Sequence, residues 1–522
     1  MRTYLIHILS LITFVAILLT ACSQTEVTSD VPSPEEQPLA VSFVPYLTLQ
    51  RDTRTTYPET TPPATSTGKM STDKLKETGF GVFAQYTEDE VFAYNTAVGK
   101  GTEPFNFMWN QQVTWDNTLD DSHITKWIYS PVKYWPNDNN PADDETAIGS
   151  KSRSYVSFYA YAPYQAETSP TTGFDKTDED TDSDSNPDAD GIVKITDNTA
   201  SAGTGSYLIY RTSNTKPFDM AESVDLLWAA RPNCYKMMPT GEGFVSGQVN
   251  FLFKHALSLF TITVQGLFDH VNNDDTSTEY PDDRDMYTRI LVERVDFTTS
   301  PLFTEGTMYF APRPDDAGVP YWEVNESKTQ TLTFGDEPET TTNLHGNEIN
   351  EQISNYYLDG IWNRYWNQAD HTSGLLTKDD SRSAEEALEL FNQLPTGVSH
   401  TEMPLRNEAD YYYMVIPNKK YITDHPLDVM KVRMVYYVIT YDERLELPKD
   451  GYPQYFSIVK NDITATLNGF AFEPNKKYKL RLQPGLTTVK FEVSSVEGWD
   501  TPITLNPEVT EWYVKTKEFN VE

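Results

Sequence analysis

Apolar and polar residues alternate with period two through much of the chain, in short runs broken by proline, glycine and acidic turns. Residues 40–50 (AVSFVPYLTLQ) place Val41, Phe43, Leu47 and Leu49 on one face, as a half-buried strand requires. Similar runs predict strands over 79–86, 113–115, 127–134, 155–161, 226–229 and 248–264. After a polar, acidic segment at 269–284 they resume at 290–297, 306–310, 411–416, 431–441, 455–459, 477–482 and 488–493. Inside 248–264 the phase shifts. Val249, Phe251 and Phe253 share one face, then Phe260, Ile262 and Val264 share another, which predicts a bulge or tight bend over 254–258. His255 falls in that bend and is read as a hydrogen-bonded structural histidine. One segment has helical spacing instead. Ser383 and Glu386 form a capping box, with Ala387, Leu390, Phe391 and Leu394 at i, i+3, i+4 and i+7. It lies in a long insertion, about 340–408. The pattern is that of an all-β chain of sandwiches, divided at 269–284 into 40–268 and 285–522.

The first 21 residues read as processing signal rather than fold. Arg2 supplies the positive start, and 8–19 is apolar except for Ser10 and Thr13. That run is shorter than the roughly 20 apolar residues of a membrane-spanning helix and has the length of a signal-peptide core. Leu19-Thr20-Ala21-Cys22 follows and is similar to the lipobox of bacterial lipoproteins, in which Cys22 becomes the acylated first residue. Residues 22–39, rich in Ser, Thr, Pro and Glu, carry too little apolar surface to fold and read as a flexible tether.

Charge narrows the partners. The chain carries 41 Lys and Arg against 77 Asp and Glu, a net charge of −36. Nucleic acid would be repelled. With Cys22 acylated, Cys234 is the one remaining cysteine, so no internal disulfide forms in the mature chain.

Taken in order, several segments resemble the fimbrillin family, the subunits of type V pili on Gram-negative anaerobes. They are the strand-then-arginine stretch 41–54, the GFGVFA strand from Gly79, and the Trp-Ile-Tyr-Ser-Pro-Val-Lys-Tyr-Trp-Pro run at 127–136. Next come FYAYAPY from Phe158, Val-Asp-Leu-Leu-Trp-Ala at 224–229 and Phe-Leu-Phe-Lys-His-Ala-Leu-Ser at 251–258. Near the end come Lys477-Tyr478 and Gly485-Leu486-Thr487, leading to Trp499. The resemblance implies two tandem transthyretin-like β-sandwich domains and assembly by donor-strand exchange. A protease cuts after an arginine near the end of the first strand, here Arg51 or Arg54. Release of the strand bearing Val41, Phe43, Leu47 and Leu49 then opens a groove for a strand of a neighbouring subunit. Residues 510–522 are the expected donor. The resemblance further implies a lipid-anchored, surface-exposed protein of the cell outer membrane, incorporated into a fimbrium after processing. Its implied partners are other pilus subunits, with a host or bacterial surface receptor as a further expected partner. It would serve attachment and biofilm formation. The long 340–408 insertion departs from a plain stalk subunit and fits a tip or accessory role.

Other chemistry is thinly represented. Asn186, Asp188, Asp190, Gly191, Val193 and Asp197 approximate a calcium loop, but Pro187 intrudes and the twelfth position is Asp, so the reading is a solvated acidic loop and no metal site. No HExxH, GxSxG or phosphate-binding glycine loop occurs, so no catalytic residue and no cofactor is expected. Trp109, Trp115, Trp127 and Trp135 offer an alternative function: an aromatic platform in a surface glycan-binding lipoprotein.

Overall fold

The computed structural model describes residues 40–47, 69–87, 105–118, 126–136, 155–166, 174–177, 189–196, 206–214, 217–234, 247–267, 287–297, 300–311, 318–335, 376–377, 381–394, 397–398, 401–405, 412–445 and 453–499. The fold is mostly β, with several sheets.

A seven-stranded sheet runs in the order β1 (Ser42–Leu47), β10 (Gln248–His255), β9 (Leu227–Cys234), β5 (Tyr155–Ala162), β2 (Phe80–Thr87), β3 (Met108–Trp115), β4 (Trp127–Ile128). A five-stranded sheet faces it: β14 (Tyr321–Val324), β13 (Glu305–Tyr309), β8 (Tyr207–Arg211), β7 (Gly191–Thr196), β6 (Phe174–Asp175). A third sheet joins β16 (Met403–Pro404), β11 (Ser258–Val264), β20 (Lys476–Pro484) and β21 (Val489–Gly498), with β17 (Tyr413–Val415) also on β11. The fourth joins β15 (Thr333–Gly335), β12 (Thr288–Asp296), β18 (Met430–Tyr441) and β19 (Phe456–Leu467).

Alternation explains the layering. In β2, Phe80, Val82 and Ala84 point to one apolar core, which also holds Phe158, Phe251 and Phe253, while Phe83 points to the other. That second core joins the seven-stranded sheet, through Tyr159, Tyr161 and Trp228, to Leu208, Tyr210, Met308 and Trp322 of the five-stranded one. The third and fourth sheets close on a core of their own, built from Phe260, Ile262, Val292, Val432, Tyr436 and Leu480.

Pairing crosses the 269–284 segment in both directions. β11 precedes that segment yet runs parallel to β20, and β13 follows it yet pairs with β8. The expected bend over 254–258 is present. Strand pairing stops at His255 and resumes at Ser258, and between them the chain passes from the seven-stranded sheet into the third. The phase shift therefore marks a change of sheet rather than a bulge within one.

Three helices are described: α1 (Thr72–Thr78), α2 (Ala384–Asn392) and α3 (Lys419–Asp424). The capping box that starts α2 is formed. The Ser383 hydroxyl accepts from the Glu386 amide at 3.2 Å, and the Ser383 amide donates to the Glu386 carboxylate at 2.8 Å. α2 lays Ala387 and Phe391 against Leu291, Tyr437 and Ile439. α2 thus covers the outer face of the fourth sheet, while β16, from the same insertion, pairs with β11 in the third. Strands β6, β7, β8, β14, β15 and β16 are not among those the alternation predicts. No helix among the described residues is long and apolar enough to cross a membrane.

Candidate functional site: the β1 edge and its pocket

β1 is a terminal strand of the seven-stranded sheet and runs parallel to β10, with Ser42 opposite Gln248 and Leu47 opposite Phe253. Its alternation turns Val41 and Phe43 inward, and both are buried. Phe43 enters an aromatic pocket. It stacks on Phe251 with ring centroids 5.6 Å apart and meets Tyr129 at 5.2 Å, Phe158 at 5.9 Å and Phe80 at 6.5 Å. Burying an aliphatic or aromatic side chain of this size contributes roughly 1.5–3 kcal/mol. Pro45 is half-buried on the same face.

A second group of contacts holds the start of the strand from the opposite side. The Val41 amide donates to the Lys133 carbonyl at 2.9 Å, and the Tyr129 hydroxyl donates to the Val41 carbonyl at 2.8 Å. The Gly247 carbonyl accepts from both the Ser42 amide (3.2 Å) and the Trp135 indole (3.0 Å). Burial pushes the Tyr129 phenol up to about 12, so it remains a donor throughout the neutral range. The 127–135 run is therefore the wall of the pocket, and the two end strands of the sheet, β1 and β4, come together there.

Where the chain changes sheets, sequence-distant segments meet at His255. Its Nδ1 lies 2.9 Å from Asp225 Oδ1, and Asp225 Oδ2 accepts from the Met70 amide at 2.7 Å. The imidazole stacks on Trp499 with centroids 4.0 Å apart and planes 7° apart. Asn475 ties this group together. Its side-chain oxygen accepts from the His255 amide, and its carbonyl accepts from the Trp499 amide. Burial lowers the nearby Lys69 and Lys74, against the pull of the Asp225 charge. This arrangement holds a structural histidine, in line with the sequence reading. Asp225 and Trp499 are far from His255 along the chain, so no local spacing in the sequence brings them to it.

The remaining sequence candidates divide. Cys22, Leu49, Arg51, Arg54 and 510–522 lie outside the described residues, as does the side chain of Leu47. The four tryptophans do not make a platform. Trp127 and Trp135 are buried, and Trp115 packs edge-on to Trp127 at 5.3 Å. Trp109 serves the other core, edge-on to Phe83 at 4.9 Å. A bulge in β3, where the register slips between Val82–Gln111 and Ala84–Met108 and Asn110 takes φ +40, breaks the alternation and sends Trp109 and Trp115 to different cores, so a shared surface is excluded by geometry. Of the acidic loop, Asp190 and 191–196 are described. Gly191 takes φ +69 and starts β7, and a Cβ there would fall 2.8 Å from Val224 Cγ2. No group of three or more potential ligands among the described residues is placed to hold a metal.

No family model and no curated protein matches the chain. Among solved structures it is similar to a fimbrial protein from Bacteroides vulgatus ATCC 8482, with 16% identity, a TM-score of 0.44, and coverage of 88% of this chain and 99% of that one. It is also similar to putative cell adhesion proteins from Bacteroides uniformis ATCC 8492 (12% identity, TM-score 0.30, 90% of this chain and 100% of that one) and Bacteroides ovatus ATCC 8483 (10% identity, TM-score 0.29, 89% and 98%).

Proposed function

We propose that this chain is a structural or adhesive subunit of a cell-surface fimbrium, exported as a lipoprotein on Cys22 and joined to its neighbour by strand exchange. The observation that carries this reading is β1 itself. It is a terminal strand, held parallel to β10, with an aromatic anchor sunk in a pocket and two arginines just beyond its end. Cutting after Arg51 or Arg54 separates the strand from the rest of the chain. Its departure leaves a row of β10 backbone donors and acceptors and the empty Phe43 pocket, a combination that a new strand satisfies at once.

A segment of this chain has the pattern to fill that groove. β1 reads Val41-Ser-Phe43-Val-Pro45-Tyr-Leu47, and 503–509 reads Ile503-Thr-Leu505-Asn-Pro507-Glu-Val509. The apolar positions and the proline fall in the same register, so the inward face of β1 has a counterpart just after Trp499. This moves the expected donor from 510–522 to 503–509 of a second copy. The subunit needs no catalytic residue and no cofactor in this role. Attachment and biofilm formation would follow from the assembled fimbrium at the outer membrane.

The test is to treat the purified chain with an arginine-specific protease, sequence the new N-terminus, and run the product unboiled in detergent. The expected result is a start at Asp52 or Thr55 and a ladder of SDS-resistant oligomers, lost on deletion of 503–509 while cleavage persists. A chain that resists cleavage at both arginines, or is cut without forming a ladder, would overturn the reading.

A further inference from the structure

Trp499 fixes the point at which the C-terminal tail leaves the body. Its ring is buried against His255, and its amide donates to the Asn475 carbonyl at 2.8 Å. The Asn475 amide donates in turn to the Leu257 carbonyl at 3.0 Å. With the tail rooted there, Asp500, Thr501 and Pro502 alone separate the body from Ile503, where the β1-like segment begins. The four steps from residue 499 to residue 503 span at most about 14 Å. Side chains packed between two surfaces fill about 10 Å of that. A strand delivered on so short a link brings the two bodies into contact.

Register says where they meet. Ile503 aligns with Val41, Leu505 with Phe43 and Pro507 with Pro45 when 503–509 runs parallel to β10, as β1 does. Entered the other way, the same segment would set Pro507 in the Phe43 pocket. Parallel entry places Ile503 at the Val41 end of the groove, beside the 127–135 wall, whose Lys133 carbonyl accepts from the Val41 amide.

That wall carries an exposed apolar surface. Trp127, Tyr129 and Trp135 pack inward, which leaves Ile128, Val132 and Tyr134 outside. Ten large apolar side chains are exposed among the described residues, and three of them fall within 128–134, a local concentration rather than a scatter. The turn is ordered without a partner. The Lys133 amide donates to the Tyr129 hydroxyl at 3.2 Å, and the Gln111 side chain donates to the Ser130 carbonyl at 3.1 Å. Little ordering cost is therefore left for binding.

On the other body, β21 exposes Val496 just before Trp499. Lys133 lies between Val132 and Tyr134, and Glu497 follows Val496, meeting Lys477 at only 3.9 Å. Opposite charges thus border the two apolar surfaces. Copies that each carry −36 repel at long range, and a contact of this kind offsets that repulsion locally.

We infer that the Ile128–Val132–Tyr134 surface docks a second copy of this chain, on the ground around Val496 where that copy's tail emerges. The inference rests on the strand-exchange reading and adds a body-to-body contact to it.

The test is cross-linking between chains carrying Val132→Cys and chains carrying Val496→Cys. They are mixed, cut with an arginine-specific protease, treated with bis-maleimidoethane, boiled in detergent and run on a gel. Boiling melts strand joints and leaves covalent pairs. The expected result is a dimer from the mixture. None should come from either variant alone, from the uncut mixture or from the wild type, whose Cys234 is buried. A second variant, Val132→Asp, should be cut as the wild type is, yet build its unboiled ladder slower by at least about fivefold, because the contact would bury a charge. Both positions are exposed, and a thermal melt checks that each variant is folded. A wild-type ladder without the mixed dimer, or an unchanged rate for Val132→Asp, would overturn the inference and leave strand exchange standing. The absence of any wild-type ladder would overturn both.

Discussion

Two terminal strands, β1 and β19, show how differently a sheet edge can be held. Phe43 of β1 and Tyr436, which lies opposite β19 on β18, are both fully buried. Yet β1 contributes six residues in parallel to a strand far along the chain, and no hairpin binds it to that partner. β19 pairs antiparallel with β18 at all twelve of its positions, from Phe456 opposite Tyr441 to Leu467 opposite Met430. β18 in turn supplies Val432 and Tyr436 to one core and Tyr437 and Ile439 to another. Detaching β19 would strip a strand that serves two cores, whereas detaching β1 exposes one pocket and one row of backbone groups. Charges on β19 also guard its edge: Asp462 pairs with Arg433 at 2.7 Å, and Lys460 pairs with Glu293 at 3.3 Å. Connectivity, rather than burial, distinguishes the two edges.

The comparison can be broken in four ways, in descending order of effect. Val432→Asp puts an unpaired charge between the third and fourth sheets and should cost more than about 4 kcal/mol, abolishing a cooperative urea transition there. Phe43→Ala empties the β1 pocket, with a cost of about 3 kcal/mol. Its effect should appear in hydrogen exchange as loss of protection confined to β1 and the facing amides of β10, with the β18 and β19 amides unchanged. Equal loss in both regions would show that β1 is no more separable than β19. Asp225→Ala removes the acceptor shared by His255 and the Met70 amide and should cost about 2 kcal/mol. Because Trp499 stacks on that histidine, its fluorescence should change along with stability.

Tyr129→Phe is the smallest change, about 1 kcal/mol, for the hydrogen bond to the Val41 carbonyl. It also has a pH signature. The folded phenol is raised to about 12, above the unfolded value of about 10. Its contribution is therefore complete below pH 10 and is lost as pH rises from about 10 through about 12. A near-UV circular dichroism titration of the wild type should show that loss, and Tyr129→Phe should lack it.

Much of the local structure was legible. The alternation of Val41 and Phe43 marked a strand with one buried face, and Ser383 with Glu386 marked the start of α2. The broken phase around His255 located a bend. What the bend does was not legible, because period-two alternation names the face of a strand and says nothing of its neighbours. The same blindness hid β7 and β8, whose residues follow the acidic stretch, and left an aromatic platform of four tryptophans open as an alternative. Tryptophan content is visible in sequence. Counting along β3 would give Trp109 and Trp115 one face, and only the bulge at Asn110, which no local pattern announces, sends them to opposite ones.

The sequence by itself determined the signal-like start, the acidic charge, the all-β character and the inward face of β1. These depend on composition or on residues a few positions apart, where the period of the backbone fixes which side chains share a face. Tertiary structure alone decided that β10 and β11 enter different sheets, that β13 returns to β8 across the 269–284 segment, and that β1 lies parallel to β10. Backbone hydrogen bonds are alike for every strand, and the hydrophobic effect has no direction. Partners are chosen by how well whole faces fit, and that information is spread over the entire chain.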